Sequence, residues 1–366
     1  MVHLRKDKLQ MKITDIRFHR ESFLFEKPFK VAFGVIKDME SLLLVIETDA
    51  GIQGYGEAAP LPFVTGDDFE TTLCVGKVLR EALIGEDPLA IGHIHQIMDS
   101  LYHGNTPIKA GIDLACYDIA AKNAGVPLYQ YLGGAFGKVH SDVTIGISTP
   151  EEMADTAVEW VEKGFSILKV KLGEDIATDV HRIAAIRDQI GYDIPIKVDA
   201  NQGWTVKEAL QIIPRLAKLG VNLVEQPVPA EDVNGLKEIR DRSELLIAAD
   251  ESCHSYKDAF RLASERAADV MNIKLMKCGG IYNALKICAI CEGAGLACMI
   301  GCMGESSLAN VAAMHLAAAM DVIKDVDLDT VYLLKQDKIS GGFTHEGGKA
   351  QLTDQPGIGC NIKEEF

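Results

Sequence analysis

The sequence contains no uncharged apolar run of the ~18–20 residues that a helix needs to span a bilayer. Its first ten residues are polar and lack the apolar core of a signal peptide. Met11 is an alternative start, which would make residues 1–10 a dispensable lead. We therefore expect a cytoplasmic protein that has no membrane partner.

The sequence has fewer basic than acidic residues. It contains 37 Lys and Arg and 53 Asp and Glu, which gives a formal net charge of −16. A surface this acidic repels phosphate backbones and anionic lipid. We therefore expect no nucleic-acid partner, although a local cationic pocket is not excluded.

Disulfide bonds are not expected, because nine cysteines are an odd number in a chain without an export signal. Cys288 and Cys291 form a CxxC pair, but it lies inside or near the end of a predicted helix. A redox CxxC begins a helix, where the dipole lowers a thiol pKa. We expect these two cysteines to be core residues, since no second CxxC or paired histidine suggests zinc.

Length and patterning predict one barrel-sized domain and a smaller one in the 366 residues. Residues 11–60 alternate like antiparallel strands with a turn at residues 49–51, and residues 67–132 are helical in pattern, beginning at Asp67. Strands followed by helices indicate an α+β block.

From about residue 140, eight short β-branched runs alternate with helical stretches. The runs are residues 142–147, 166–172, 194–201, 221–227, 245–252, 269–276, 296–303 and 324–330. Repeated βα units with eight strands predict a parallel barrel. Strands and turns return after residue 330, and we expect this tail to rejoin the first block.

Charged residues recur at the carboxyl ends of these predicted strands, although buried parallel strands are normally apolar. They are Lys169, Lys171, Asp199, Glu225, Asp250, Lys274, Asp327 and Asp329. Their spacing matches one βα unit, so they share one height at the catalytic face of a barrel. A helix N-cap or a turn explains any single acid equally well. It does not explain three acids on adjacent strands with lysines on both sides.

Asp199, Glu225 and Asp250 are the three acids on adjacent strands. Buried carboxylates are costly unless cations compensate them. Their oxygens suit Mg²⁺, and the absence of thiolate or imidazole at these positions disfavours zinc or copper.

The lysines predict a two-base arrangement. Lys169 and Lys171 are two residues apart on one strand and point to the same side, whereas Lys274 lies across the barrel mouth. A lysine next to Mg²⁺ or another lysine has a lowered pKa and can act as a base near neutral pH. Two such lysines could remove a proton from carbon and return it to the opposite face.

With these residues in place, the sequence resembles the enolase superfamily, in its muconate-lactonizing-enzyme-like subgroup. The matching motifs are Lys169-Val170-Lys171, Val198-Asp199-Ala200-Asn201, Val224-Glu225-Gln226-Pro227, Ala249-Asp250-Glu251-Ser252, Asn272-Ile273-Lys274 and Gly54-Tyr55-Gly56-Glu57-Ala58. The resemblance covers nearly the whole chain from Met11. It implies an α/β fold, a modified TIM barrel (β/α)₇β at residues 139–330. An α+β capping domain would comprise residues 1–138, to which the C-terminal tail, residues 331–366, returns.

Within the subgroup, the sequence is most similar to dipeptide epimerases. These enzymes carry Asp-x-Asp on the eighth strand to bind the free ammonium group of the substrate, which corresponds to Asp327 and Asp329 here. A period of two would place both acids on one face of the strand. The resemblance also assigns Thr144 and Cys302 to the substrate pocket, although barrel packing explains them nearly as well.

The resemblance implies Mg²⁺-dependent inversion of the α-carbon of the C-terminal residue of an L,L-dipeptide through an enediolate. The metal ligands would be the three acids named above. Lys169 would stabilise the developing charge, and Lys171 and Lys274 would alternate as base and acid.

Three alternatives stay open at this point. An N-acylamino-acid racemase, or a cycloisomerase or lyase of the same superfamily, acts on substrates without a free ammonium, which Asp327 and Asp329 disfavour. A cofactor-using oxidoreductase is disfavoured because no GxGxxG follows a strand and residues 133–139 lack P-loop spacing. A non-catalytic binding barrel would not need the intact set of acids and lysines.

Substrate preference is predicted from a loop of the cap. Relatives that act on Ala-Glu have an arginine after a Pro-Phe-Lys segment, where this chain has Gly34. With Phe29 and Phe33 nearby, we expect hydrophobic or aromatic C-terminal residues to be preferred, unless Lys30 or Lys37 replaces the arginine. We also expect a homo-oligomer, because symmetric assembly is common, although no interface motif is evident.

Overall fold

A computed structural model describes residues 11–31 and 34–362, with the backbone alone for residues 27–31 and 35–37. The chain begins with an antiparallel sheet in the order β1–β2–β3. Its strands are β1 (Ile13–Val31), β2 (Gly34–Thr48) and β3 (Gln53–Ala58). The turn predicted at residues 49–51 connects β2 to β3.

Five helices follow the sheet, and together they form the capping domain. They are α1 (Pro62–Thr65), α2 (Phe69–Leu83), α3 (Ile91–Leu101), α4 (Thr106–Ala124) and α5 (Leu128–Tyr131). The N-cap of α2 is Asp68, one residue after the expected Asp67. α4 packs closely on β3 because Gly54 and Gly56 lack side chains; a Cβ on either would overlap a carbonyl oxygen of α4.

A short strand, β4 (Lys138–His140), precedes eight parallel strands that follow one another around the barrel in chain order. These are β5 (Val143–Ile145), β6 (Leu168–Lys171), β7 (Ile196–Asp199), β8 (Val221–Glu225), β9 (Leu246–Ala249), β10 (Val270–Ile273), β11 (Ala297–Gly301) and β12 (Ile323–Asp327). Each coincides with a predicted run, and β12 begins one residue earlier than expected. The Asp142 N–H donates to the Val326 carbonyl at 3.0 Å, which nearly closes the barrel between β5 and β12.

Each of the first seven barrel strands is followed by helix, which confirms the (β/α)₇β architecture. The helices are α6 (Pro150–Glu162), α7 (Ile176–Ile190), α8 (Val206–Lys218), α9 (Val233–Arg242), α10 (Tyr256–Glu265), α11 (Leu275–Cys278), α12 (Ile281–Ala294), α13 (Ser307–Ala319) and, after β12, α14 (Thr330–Leu333). Thr205 and Glu208 form a capping box at α8, so local sequence fixes where this helix begins.

The C-terminal tail forms β13 (Ile339–Gly341), β14 (Phe343–Glu346), β15 (Lys349–Leu352) and β16 (Cys360–Ile362). β15 pairs with β4, and the Ile358 N–H donates to Asp118 of α4 at 2.8 Å. The tail therefore returns to the first block as expected. The domain boundaries at residues 138 and 330 stay predictions.

Two expectations from composition have structural counterparts. No helix in the described ranges is long and apolar enough to cross a membrane. All nine cysteines are free thiols, and Cys288 and Cys291 are buried inside α12, as expected of core residues.

Candidate active site

A pocket lies where the carboxyl ends of the barrel strands meet the capping domain. Most of the site residues named from the sequence line it: Thr144, Lys169, Lys171, Asp250, Lys274, Cys302, Asp327 and Asp329. Asp199 and Glu225 lie beneath them and are fully buried. The barrel therefore brings together acids and lysines from the ends of six of its eight strands.

The three predicted metal ligands lie at neighbouring strand ends. Asp199 is the last residue of β7, Glu225 is the last residue of β8, and the two are paired in register. Asp250 directly follows β9. Because each of these residues is at most 1% exposed, their carboxylates depend on nearby cations for compensation.

Lys169 supplies much of that compensation. Its side chain is 1% exposed, and its Nζ lies 2.6 Å from Glu225 Oε2, 3.2 Å from Asp199 Oδ2 and 2.6 Å from Asp327 Oδ2. This lysine therefore links the acids at the base of the pocket to the acid pair at β12.

The two predicted bases each contact one acid. Lys171 donates to Asp199 Oδ2 at 2.7 Å, and Lys274 donates to Asp250 Oδ2 at 2.9 Å. Lys274 follows β10 and crosses in front of Gly301, where a Cβ would lie 3.2 Å from the lysine Cε. Glycine at this position therefore leaves room for the lysine side chain to reach the pocket.

The pKa of Lys274 differs from the sequence-based expectation. Burial lowers the pKa of Lys274, but the carboxylates of Asp250 and Glu225 raise it by a larger amount. The net shift of this pKa is therefore upward. Burial also lowers the pKa of Lys169, and Asp327 and Glu225 again reverse the shift. The expected downward shift requires a neighbouring cation, whereas the nearest charges here are negative.

The acids respond to the same competition between burial and charge. Burial raises the pKa of Asp199 and Asp250, but the adjacent lysines outweigh it and hold both carboxyls below their usual range. Burial and the charge of Asp199 keep the pKa of Glu225 above its usual value despite Lys169. A further positive charge at this site would therefore favour the ionised form of Glu225.

The donor set suits a hard divalent cation, although the side chains do not form a finished cage. Within the described part of the chain, no group of three His, Cys, Asp or Glu residues is arranged for metal binding, because lysines lie against the acids. All three predicted ligands nevertheless carry carboxylate oxygens. The neighbouring Glu251 adds a buried Oε2 that has no hydrogen-bond partner among the described residues. The residues present therefore fit Mg²⁺ chemistry.

Asp327 and Asp329 converge on the pocket, but not for the predicted reason. β12 ends at Asp327, and Asp329 lies beyond the strand in a helical conformation, so strand periodicity does not align them. The Thr144 N–H donates to Asp329 Oδ2 at 2.7 Å, and its hydroxyl donates to Asp327 Oδ1 at 3.4 Å. Thr144 thus helps to orient both acids.

Cys302 lies beside the same acids. Its Sγ is 3.0 Å from the Thr330 hydroxyl, and burial raises the pKa of its thiol.

Gly34 begins β2 and is exposed, and it is not among the described residues that line the pocket. Phe33 lies outside the described residues, as do the side chains of Phe29, Lys30 and Lys37. The proposed role of this loop in substrate preference stays a prediction.

Sequence reasoning missed two groups of residues. One is the apolar wall of the pocket, formed by Phe25, Met39, Leu61, Val64, Met303 and Leu333. These residues come from the cap and from loops, and no charge or period marks them. The other group supports the acids: Glu251, whose pKa burial and Asp250 raise to about 8, and Lys277, which is fully buried against Asp250. The position of Glu251 beside Asp250 was the available signal for the first of these.

Two buried carboxylates attach the cap to the barrel helices beside the pocket. Glu57 of β3 accepts from the Ser306 N–H at 2.9 Å and from its hydroxyl at 2.6 Å, at the start of α13. Asp113 of α4 accepts from the Ile281 N–H at 2.5 Å, at the start of α12. Negative charge is favourable at helix N-termini, so the cap stabilises two barrel helices.

Comparison with known proteins shows similarity over nearly the whole chain. It is 43% identical over 353 residues to the hydrophobic dipeptide epimerase of Enterococcus faecalis, covering 96% of this chain and 100% of that protein. It is 40% identical over 353 residues to the L-Ala-D/L-Glu epimerase of Bacillus subtilis, with 95% and 96% covered. It is 38% identical over 361 residues to the N-succinyl-L-Arg/Lys racemase of Bacillus cereus, with 97% and 96% covered.

A solved structure agrees with these relatives. The dipeptide epimerase from Enterococcus faecalis V583, complexed with Mg and the dipeptide L-Leu-L-Tyr, has a TM-score of 0.94 at 42% identity and covers 95% of this chain and 99% of its own. These names confirm the expectation of an isomerase of the racemase and epimerase class.

Two family models also match. The mandelate racemase / muconate lactonizing enzyme N-terminal domain matches residues 13–133, and the enolase C-terminal domain-like model matches residues 152–366. With the barrel, the cap and the strand-end acids in place, the chain belongs to the mandelate racemase and muconate lactonizing enzyme family of the enolase superfamily.

Proposed function

We propose that this protein is a cytoplasmic, Mg²⁺-dependent dipeptide epimerase that inverts the α-carbon of the C-terminal residue of an L,L-dipeptide. The similar epimerases support the reaction class. The observation that carries the substrate class is Asp329, which lines the pocket, is 5% exposed, and has no ion-pair partner among the described residues. A buried carboxylate without a cation is costly, so the ammonium group of a substrate would compensate it.

Asp199, Glu225 and Asp250 would hold the metal ion, as their carboxylate chemistry allows. When bound, Mg²⁺ supplies positive charge that makes a neighbouring α-proton more acidic and offsets the carboxylate charge that raises the pKa of Lys274.

The remaining residues divide substrate binding and charge stabilisation between them. Asp327 and Asp329 bind the substrate ammonium group. Lys169, which lies between Glu225 and Asp327, opposes the negative charge that develops on the substrate carboxylate as the α-proton leaves. Because this cation is already in place and buried, little reorganisation accompanies the reaction.

Lys171 and Lys274 move the proton. They lie at the ends of β6 and β10, with three strands between them, so they approach the pocket from different sides. The neutral lysine takes the α-proton from one face of the carbon, and the charged lysine returns a proton to the other face. The roles exchange with the direction of the reaction.

The pocket wall supports a preference for hydrophobic C-terminal residues. The described cations that line the pocket are Lys169, Lys171 and Lys274, and each lies within 2.9 Å of a carboxylate. A glutamate side chain in the substrate would find no spare cation among the described pocket residues, whereas the apolar wall offers contact to a large neutral side chain. The similarity to the hydrophobic dipeptide epimerase supports the same preference.

Proton exchange in heavy water tests the proposal. The enzyme is incubated with Mg²⁺ and a panel of L,L-dipeptides, or with N-succinyl and N-acetyl amino acids, in D₂O. Mass spectrometry follows deuterium at the α-carbon, and optical rotation follows epimerisation. We expect exchange at the C-terminal residue of free dipeptides. Exchange of the N-acyl amino acids alone would instead establish an N-acylamino-acid racemase, the activity suggested by the relative from Bacillus cereus.

A further inference from the structure

Lys277 is a buried cation that the reaction described above does not use. It lies in α11, three residues after Lys274, and its side chain is 0% exposed. It is not among the described residues that line the pocket, so it does not touch substrate there. A fully buried ammonium requires specific partners, because burial of an unpaired charge is strongly unfavourable.

Three oxygen atoms surround the Lys277 ammonium. Its Nζ donates to Asp250 Oδ1 at 2.5 Å, to the Asp250 carbonyl at 2.6 Å and to the Asn272 carbonyl at 3.1 Å. These contacts match the three protons of an ammonium group. Lys277 therefore holds the carboxylate of Asp250 and also joins the end of β9 to the end of β10.

The two oxygens of Asp250 are consequently divided between different surroundings. Oδ1 faces Lys277 in the interior, whereas Oδ2 faces Lys274, which lines the pocket. Asn272 extends the same support, because its side-chain amide donates to Glu225 Oε1 at 2.6 Å. Groups on and after β10 thus fix one oxygen of each of two proposed metal ligands.

We propose that Lys277 is a positioning residue of the metal site. It holds the carboxylate of Asp250 in an orientation that leaves Oδ2 available to bind Mg²⁺. This inference rests on the proposed function in one respect, namely that Asp250 binds Mg²⁺. The role is distinct from that of Lys274, because Lys277 acts through the carboxylate and moves no proton.

Lys277→Met tests the role, since methionine has a similar length but neither charge nor N–H donors. Titration calorimetry of the metal-free enzyme with MgCl₂ measures the affinity, and melting in EDTA measures stability without metal. We expect Mg²⁺ to bind roughly 10–100-fold more weakly, as is typical when the partner of a metal ligand is removed. At saturating Mg²⁺, the KM for the dipeptide should change little.

Lys109→Met is the matched control. Lys109 is also buried, with a side chain 6% exposed, and it donates to Asp99 Oδ1 at 2.7 Å and to the Tyr102 carbonyl at 2.6 Å. It lies in α4 of the cap, and its ammonium pairs with Asp99 rather than with one of the three proposed metal ligands. Its variant should lose stability but keep the Mg²⁺ affinity of the wild type, which separates positioning from general loss of a buried ion pair.

Lys277→Gln is a second variant in case the methionine protein does not fold. Unchanged Mg²⁺ affinity in either folded variant would overturn the inference, and so would a failure of both to fold, which would assign Lys277 to barrel stability. If the wild type itself binds no Mg²⁺, the proposed metal requirement fails instead. If the wild type binds Mg²⁺ but epimerises no dipeptide, the substrate proposal fails and the calorimetric comparison still decides the role of Lys277.

Discussion

The Nζ of Lys169 lies 2.6 Å from Oδ2 of Asp327, although the two residues are 158 positions apart in the sequence. The same ammonium lies 2.6 Å from Glu225 Oε2. One buried cation therefore connects the acids proposed for metal binding to those proposed for the substrate ammonium. A substitution among the proposed metal ligands should therefore also affect binding of the substrate ammonium group, and the reverse should hold as well. For this reason the variants below are best compared at saturating Mg²⁺.

Removal of the metal should abolish activity. Chelation with EDTA should stop α-proton exchange, and added Mg²⁺ should restore it. Asp199→Asn, Glu225→Gln and Asp250→Asn should each lower kcat/KM by roughly 1,000-fold or more, because metal-ion stabilisation is worth several kcal/mol. Asp321→Asn, at an exposed position, is the control. Full turnover by enzyme shown to be metal-free would refute this prediction.

Each lysine base should serve one epimer. In D₂O, Lys171→Ala should stop epimerisation but leave deuterium exchange of one epimer through Lys274, and Lys274→Ala should leave exchange of the other. Loss of epimerisation should be about 100- to 10,000-fold, as is usual for a general base. Loss of both exchanges in both variants, with Mg²⁺ binding intact, would contradict the assignment.

Asp329→Asn should impair binding of the substrate ammonium. Asparagine keeps an oxygen to accept from the Thr144 N–H but has no charge. A buried ion pair that loses one partner costs about 2 kcal/mol or more, which is roughly 30-fold in kcat/KM for free dipeptides. The measurement is kcat/KM for a dipeptide and its N-acetyl derivative. The ratio of kcat/KM for the dipeptide to kcat/KM for the N-acetyl derivative should be smaller in the variant than in the wild type. The same ratio in both proteins would show that Asp329 does not bind the ammonium group.

Ala-Phe and Ala-Leu should be better substrates than Ala-Glu. A substrate carboxylate left without a cation in the pocket costs about 2–5 kcal/mol, so kcat/KM should differ by at least roughly 30-fold. Gly34→Arg should raise kcat/KM for Ala-Glu, with Ala-Leu as the internal control. Equal kcat/KM values of the wild type for Ala-Glu and the apolar dipeptides would mean that another cation binds the side-chain carboxylate of the substrate.

Stability should fall as pH rises from about 5 to 8, in part because of Glu305. Burial, followed by the charge of Glu57, raises the pKa of Glu305 from 4.5 to about 8. Between these pH values the folded chain retains a proton on Glu305 that the unfolded chain has lost. The free energy of unfolding therefore falls by up to about 1.4 kcal/mol for each pH unit.

Glu305→Gln should therefore reduce the fall in Tm between pH 5 and pH 8. Glu57, whose pKa burial also raises, should keep part of the slope. The exposed Glu244→Gln is the control and should follow the wild type. The same pH slope in Glu305→Gln and wild type would exclude the assignment.

The barrel and most of its charged site were predictable because they follow from periodicity. Parallel strands place their carboxyl ends together, so Asp199, Glu225 and Asp250 converge once the eight runs are recognised. Asp329 lines the pocket, but the strand period that predicted this does not explain it, because Asp329 lies after the end of β12 in a helical conformation. Its position depends on the Thr144 N–H, which is 185 residues away in the sequence and leaves no local pattern.

Other parts of the site could not be derived from a single sequence. Lys277 resembles any lysine in a helix, and its burial against Asp250 depends on how α11 lies behind β9. Met39 and Met303 come together only when the cap docks on the barrel. Such residues are defined by tertiary contacts, and hydrophobicity alone does not distinguish a pocket wall from the core.

The contact between Asp113 and α12 has a consequence for how the chain folds. Gly280 occupies the N-cap position of α12 and has no side chain to cap it. The first N–H of the helix, that of Ile281, instead donates to the carboxylate of Asp113, which lies 168 residues earlier in the sequence. Contacts between such distant residues form late, because closing a long loop costs entropy. We therefore expect the first amide group of α12 to lack its carboxylate partner until the cap has docked on the barrel.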